Sequence, residues 1–151
     1  MHDIHIRRAR REELDTLLDI WQRAVERTHD FLTPADVAFY RPLVQSRYLP
    51  YAELWVAAEP WMPLGFMGLA GRKVESLFVD PDHLRRGVGR ALLAHAFRLR
   101  GPLLIDVNEQ NHAARAFYAR MGFDEVGRSE RDDLGKPFPL IHLAASGMAE
   151  V

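Results

Sequence analysis

The sequence predicts an α/β domain on a mixed sheet, and three observations carry that expectation. Strand-like apolar runs alternate with helix-like apolar stripes along the 151 residues. Near the middle, the apolar run Val74 to Val79 passes through a Pro/Asp turn and two arginines into Gly87-x-Gly89, where an apolar-periodic helix starts at once. Further on, Asn111 opens a helix that Gly122 ends, with an apolar strand, Leu103 to Val107, between the two helices.

Taken in order, Ile4 to Arg8 alternates apolar and polar and reads as a first strand. From Glu12 to Arg27, a stripe of Leu14, Leu17, Leu18, Trp21, Ala24 and Val25 predicts a helix. The segment RTHDFL is then a loop, after which Thr33 caps a second helix and Pro34 suits its first turn. Pro50 closes that region, Leu54 to Glu59 is a strand, and Pro60 to Pro63 is a turn. Leu64 to Ala70 and Lys73 to Val79 form a hairpin around Gly71. The helix from Gly87 to Arg100 is broken by Gly101-Pro102. After the Asn111 helix come a strand from Phe123 to Glu130, a polar loop, and a last strand from Leu140 to Ala144. No repeat, low-complexity tract or linker divides the chain, so residues 1–151 are expected to form one domain.

Composition narrows the function classes. A net charge of −1 argues against a nucleic-acid-binding surface. There is no cysteine, which removes disulfides, thiol nucleophiles and thiolate metal sites. The 7 histidines show neither HxxxH nor HxH spacing, so no metal is expected. No apolar run approaches a transmembrane length, and MHDIHIRRAR lacks a signal peptide's apolar core. A cytoplasmic protein without a membrane partner is the expectation, as a monomer or a homodimer.

The centre of the chain reads as an anion site. Glycines at Gly87 and Gly89 let backbone N–H groups approach a ligand closely, and the helix that opens there offers unpaired N–H groups and the positive end of its dipole. The site suits a phosphate or pyrophosphate. Neither GxxxxGK[ST] nor GxGxxG is present, so adenine-nucleotide readings of those two types fall.

The second helix, NHAARAFYARMGF from Asn111 to Phe123, supplies the context. Together the two segments resemble the GNAT superfamily of acetyl-CoA-dependent N-acetyltransferases. That family carries Gln/Arg-x-x-Gly-x-Gly/Ala in the loop and N-x-x-A-x-x-F-Y-x-x-x-G-F in the later helix. The second pattern is matched at Asn111, Ala114, Phe117, Tyr118, Gly122 and Phe123. The stretches THDFL, VNEQN and GRSERDDLGKPFPL resemble the YjaB-type bacterial subgroup. One departure stands out: Leu84 occupies the family's Gln/Arg position and lacks its polar contact.

The resemblance implies the order β-α-α-β-β-β-α-β-α-β-β, with acetyl-CoA wedged where strands four and five splay apart. It implies that the loop amides from Arg85 through Arg86, Gly87, Val88, Gly89 and Arg90 to Ala91 hold the pyrophosphate, with Arg85 and Arg86 adding charge. Leu77, Phe78 and Val79 would meet the pantetheine arm through backbone groups, and Asn111 would bond the cofactor. Tyr118 would point its hydroxyl at the CoA sulfur and protonate the leaving thiolate. His29 and Asp30 would roof the acceptor site, with Phe31 as an apolar wall.

Acetyl transfer to an amine needs a base, because only about one lysine amine in a thousand is neutral near neutral pH. Glu75 is the candidate. Strand alternation puts it on one face with Leu77 and Val79, an unusual place for a lone carboxylate. Asp30, Glu75, Glu109, Asp132 and Asp133 would favour a cationic acceptor by their local field, whether protein lysine, N-terminal amine or small polyamine-like metabolite. Ser76 and Ser129 lack sequence context for a nucleophile. The expected function is an acetyl-CoA-dependent N-acetyltransferase acting by direct attack in a ternary complex. The alternative is a non-catalytic module that binds CoA or acyl-CoA as a sensor. A GNAT-type toxin acting on charged tRNA fits the near-neutral charge less well.

Overall fold

The computed structural model describes residues 3–149, and a seven-stranded sheet runs through the middle of them. The chain runs β1 (His5–Arg8), α1 (Leu14–Thr28), α2 (Pro34–Leu43), β2 (Glu53–Glu59), β3 (Met62–Ala70) and β4 (Lys73–Val79). It continues through α3 (Val88–Arg100), β5 (Leu103–Asn108), α4 (His112–Met121), β6 (Asp124–Ser129) and β7 (Leu140–Ala145). This is the expected order of elements. The strands lie β1-β2-β3-β4-β5-β7-β6 across the sheet. All neighbours are antiparallel except β4 and β5, so the sheet is mixed and mostly antiparallel.

Each face of the sheet carries its own core. Val88, Leu92, Leu93 and Ala96 of α3 and Tyr118 and Met121 of α4 pack on Leu64, Met67, Val74, Ile105 and Ile141. On the opposite face, Leu17, Leu18, Trp21 and Val25 of α1 and Val37 of α2 pack on Leu54, Val56 and Phe66. The two sets alternate along the strands except at Leu64, the extra residue where the β2–β3 register shifts, which faces the α3 core although Phe66, two residues on, faces α1.

Two element starts shift by two residues from the sequence expectation, each for a local reason. Arg11–Glu13 forms a 3-10 turn, so α1 starts at Leu14 rather than Glu12. Glu13 accepts from the Arg10 amide at 2.8 Å and binds both terminal nitrogens of Arg7, at 2.8 and 2.7 Å, which holds that turn. β3 starts at Met62, inside the expected Pro60–Pro63 turn. Pro63 lies opposite Ala58 beside a register shift, where a missing N–H is tolerated. After α2, capped by Thr33 and Asp36 acting on each other's amides, the chain continues in a π-helical turn at Val44–Tyr48.

That turn positions the most consequential part of the sheet. Val74 sits opposite Leu69 and Ser76 opposite Gly68, so Glu75 is an extra residue, a β-bulge in β4. The Tyr48 hydroxyl lies 2.6 Å from Ser76 Oγ and pins the strand just past the bulge. Gly68 makes room for it, since a Cβ there would fall 1.8 Å from the hydroxyl. Beyond the bulge β4 leaves its parallel partner. The β4–β5 register holds only for Lys73 with Leu104 and Val74 with Ile105. The two strands then fork.

Candidate active site

The fork opens into a cleft of about 440 Å³. Glu75, Ser76, Leu77 and Phe78 of β4 line one wall, and Asp106, Val107 and Asn108 of β5 line the other. Past Val74, one edge of β4 has no strand beside it among the described residues, leaving room for an extended chain to lie along Leu77 to Val79. Leu77 and Val79 face the α3 core, and Phe78 faces α1, with its ring 5.6 Å from Phe66.

The loop after β4 is anchored before it reaches the glycines. Asp80, 5% exposed, takes both terminal nitrogens of Arg23 at 2.7 and 2.9 Å and caps the following turn through the Asp82 amide. Arg85 and Gly87 then adopt left-handed conformations, with φ of 66° and 77°. This double reversal turns the chain into α3. The amides of Val88, Gly89 and Arg90 have no preceding carbonyl to bond and, among the described residues, no other protein partner. A phosphate fits these donors and the helix dipole together.

Two groups of the expected loop already have partners within the protein. The Ala91 amide is occupied, donating to the Gly87 carbonyl at 2.9 Å as the first bond of α3. The Arg86 guanidinium is already engaged, at 3.2 Å from Glu59 and 3.0 Å from the His83 ring. Arg85 is exposed, as are Arg90 and Leu84. Val88 faces the core, so only its amide is available to a ligand. Gly89 has a second reason to be glycine. A Cβ there would stand 3.2 Å from the Phe117 ring, so the start of α3 packs directly on α4.

Asn111 caps α4 by accepting from the Ala114 amide at 3.1 Å, and it is 6% exposed on the edge of the cleft. Its Nδ2 lies 3.4 Å from His29 Nε2. The Thr28 hydroxyl gives its one proton to the Ala24 carbonyl, so His29 Nδ1 is the donor in the 2.9 Å bond to Thr28. His29 therefore presents an unprotonated Nε2 toward Asn111. Burial pushes its pKa down to about 4, which keeps the ring neutral at neutral pH.

Tyr118, two turns along α4 from Asn111, is 6% exposed and stands between the rings of Phe117 and Phe123. It lines the cleft, and its hydroxyl makes no hydrogen bond to any described residue. Desolvation pushes its pKa up, so it is held as the neutral, proton-bearing phenol.

The acceptor side departs most from expectation. Glu75 is exposed at the mouth of the cleft rather than set among apolar neighbours. The bulge breaks the alternation on which its expected face depended. Asp30 is exposed and does not line the cleft, and Glu109 instead holds Arg128 at 2.8 and 3.0 Å. Phe31 does not line it either; it packs between His29 and Phe138, and Phe138 forms the wall. Asp132 and Asp133 do line the cleft. The Tyr40 hydroxyl donates to Asp132, which fastens α2 to the loop between β6 and β7.

A polar line crosses the strands at the base of the fork. Lys73 Nζ lies 2.8 Å from Asp106 Oδ2, His142 Nδ1 lies 2.6 Å from Asp106 Oδ1, and Ser129 Oγ lies 2.7 Å from His142 Nε2. Burial alone would raise the Asp106 pKa, but the bonds from His142 and Lys73 hold it below the usual range. Sequence spacing could not find this line, because its members come from four strands. Among the described residues no helix is long and apolar enough to cross a membrane, and no three His, Asp or Glu side chains are grouped to hold a metal ion.

Comparison with known proteins agrees with this geometry. The model of the acetyltransferase (GNAT) domain matches residues 50–125. The chain is 50% identical over 145 residues to peptidyl-lysine N-acetyltransferase YjaB of Escherichia coli K12, covering 95% of this chain and 98% of that protein. It is 33% identical over 133 residues to peptidyl-lysine N-acetyltransferase YiaC of the same organism, covering 87% and 91%. The solution structure of apo-form YjaB from Escherichia coli superposes with a TM-score of 0.90 at 49% identity, covering 96% of this chain and 99% of that one. With the forked sheet, the open amides at the start of α3 and the Asn111 helix all in place, the chain belongs to the GNAT family of N-acetyltransferases.

Proposed function

We propose that this protein transfers the acetyl group of acetyl-CoA to the ε-amine of a lysine in a protein, by direct attack of the amine. The observation that carries the reading is the cleft itself. A buried phenol with an unbonded hydroxyl stands on one wall, and the carboxylates of Glu75, Asp106, Asp132 and Asp133 stand around the other side. Half the residues are shared with a peptidyl-lysine N-acetyltransferase over nearly the full length, which supports lysine as the acceptor.

The residue roles follow from chemistry. Acetyl-CoA supplies an already activated thioester. The amides of Val88, Gly89 and Arg90 hold its pyrophosphate. The open edge of β4 from Leu77 to Val79 holds its pantetheine arm, and Asn111 hydrogen-bonds that arm while capping α4. Glu75 at the bulge draws the proton from the incoming ammonium through water, and Tyr118 gives its proton to the departing thiolate. Asp132 and Asp133 attract the cationic amine, and Phe138 and Tyr40 flank its aliphatic stem. His29 holds the Asn111 carboxamide in place.

A CoA-release assay tests the reading, with acetyl-CoA offered against lysine peptides, peptides bearing only an α-amine, and small amines. Transfer to lysine peptides, with the others slower, is the expected result. Tight acetyl-CoA binding without transfer to any amine would make the sensor reading the better one.

A further inference from the structure

The chain contains two lysines, Lys73 and Lys136, among 20 lysines and arginines. Their settings differ. Lys136 sits in the loop between β6 and β7 with its Nζ 4.2 Å from the centre of the Phe39 ring, and it does not line the cleft. Lys73 does line the cleft, at the base of the fork, where its ammonium meets Asp106 at 2.8 Å.

We propose that Lys73 is itself an acetylation site: when no external amine is present, the protein acetylates the Lys73 ε-amine in cis, and the modified side chain then occludes the cleft. The proposal rests on the acetyl-transfer reading above and concerns regulation of the same site. Lys73 precedes the bulged Glu75 by two residues, about 7 Å along the strand, and a lysine side chain spans nearly that distance on its four-carbon stem. With the pantetheine arm along Leu77 to Val79, the thioester falls near the bulge, within reach of Lys73 and inaccessible to Lys136.

The step balances simply. The neutral Lys73 Nζ attacks the thioester carbonyl, a C–N bond forms, the C–S bond breaks, and the CoA thiolate leaves and is reprotonated to the thiol. One proton from the original ammonium passes to water. The product amide has no charge to offer Asp106, so the tie across the fork is lost.

The groups facing Lys73 set its pace. Asp106 on β5, Asp133 on the β6–β7 loop and Glu75 on β4 all favour its charged form, and His142 shares the Asp106 carboxylate from behind. Self-modification is therefore slow beside transfer to an external amine. It accelerates about tenfold per pH unit above neutrality, because only the neutral amine attacks.

The test is mass spectrometry of the full chain incubated with acetyl-CoA alone, with peptide mapping and a parallel lysine-peptide assay. The expected result is one added acetyl group at Lys73, first-order kinetics independent of protein concentration, and loss of peptide-directed turnover in step with it. Asp106→Asn should speed the modification about tenfold or more by removing the anion that holds the amine charged. Lys73→Arg should abolish both the mass gain and the time-dependent loss of turnover. Equal labelling of Lys136, or unchanged labelling in Tyr118→Phe, would mark plain chemical acetylation and overturn the proposal. A rate that scales with protein concentration would overturn the cis route. Peptide transfer without Lys73 labelling would sink this proposal while leaving the transferase reading intact. Failure of both would overturn both.

Discussion

The two sides of the forked sheet offer a ligand different kinds of surface. On the α3 side the surface on offer is backbone: three amides at the start of α3 unbonded among the described residues, a loop reversed at Arg85 and Gly87, and the open edge of β4. On the α1 side it is side chain: carboxylates and rings from β4, β5, α2 and the β6–β7 loop meet around one cleft. A backbone site is built by one contiguous segment and changes little when side chains change. A side-chain site is assembled from distant segments and can be re-specified one residue at a time. The proposed function accordingly puts the common reagent on the first side and the variable acceptor on the second.

The largest test of that contrast concerns Tyr118, the proposed proton donor to the departing thiolate. Tyr118→Phe keeps ring, packing and helix and removes a hydroxyl that no described residue bonds. Its kcat should fall by about ten- to ten-thousandfold, with acetyl-CoA affinity and melting temperature nearly unchanged. Single-turnover kinetics should show the loss in the chemical step. A wild-type rate would remove Tyr118 from catalysis.

The next tests the backbone side. Gly89→Val places a branched side chain among the amides and pushes on the Phe117 ring 3.2 Å from its Cβ. Overpacking of this kind costs about 1–3 kcal/mol, and acetyl-CoA affinity should fall by about tenfold or more. Calorimetry on the folded variant checks it; undiminished binding would show that the loop is not the anion site.

A third prediction follows from His29. Its folded pKa, about 4, lies below the ordinary 6.5, so the unfolded chain takes up the proton first. Stability from this group is whole above pH 6.5 and is lost as pH falls toward 4, by about 3 kcal/mol at most. Melting temperature should therefore drop more steeply over that window in wild type than in His29→Gln. Parallel curves would contradict the buried, neutral ring.

The smallest effect belongs to the side-chain wall. Asp132→Asn removes one carboxylate and weakens the tie to Tyr40. KM for a lysine peptide should rise about five- to tenfold, as expected for a charge-assisted contact, while acetyl-CoA affinity holds. If acetyl-CoA affinity moved instead, the division between the two sides would be wrong.

What the sequence determined by itself was everything whose signal lies within one segment. The element order, the Thr33 and Asn111 caps, the Gly87 turn and the Gly122 stop all depend on residues within a few positions of one another, so local propensity and periodicity report them. The loop-and-helix geometry on the α3 side was legible for that reason. Only the tertiary structure decided the rest. The bulge at Glu75 arises from Gly68, Ser76 and Tyr48 meeting across three elements, and it moved Glu75 off the face that alternation assigned it. The Arg23–Asp80 anchor, the Tyr40–Asp132 tie and the line from Lys73 to Ser129 join residues 13 to 92 positions apart, counted bond by bond. No period or spacing encodes such pairs, because they exist only once the sheet has brought the strands side by side.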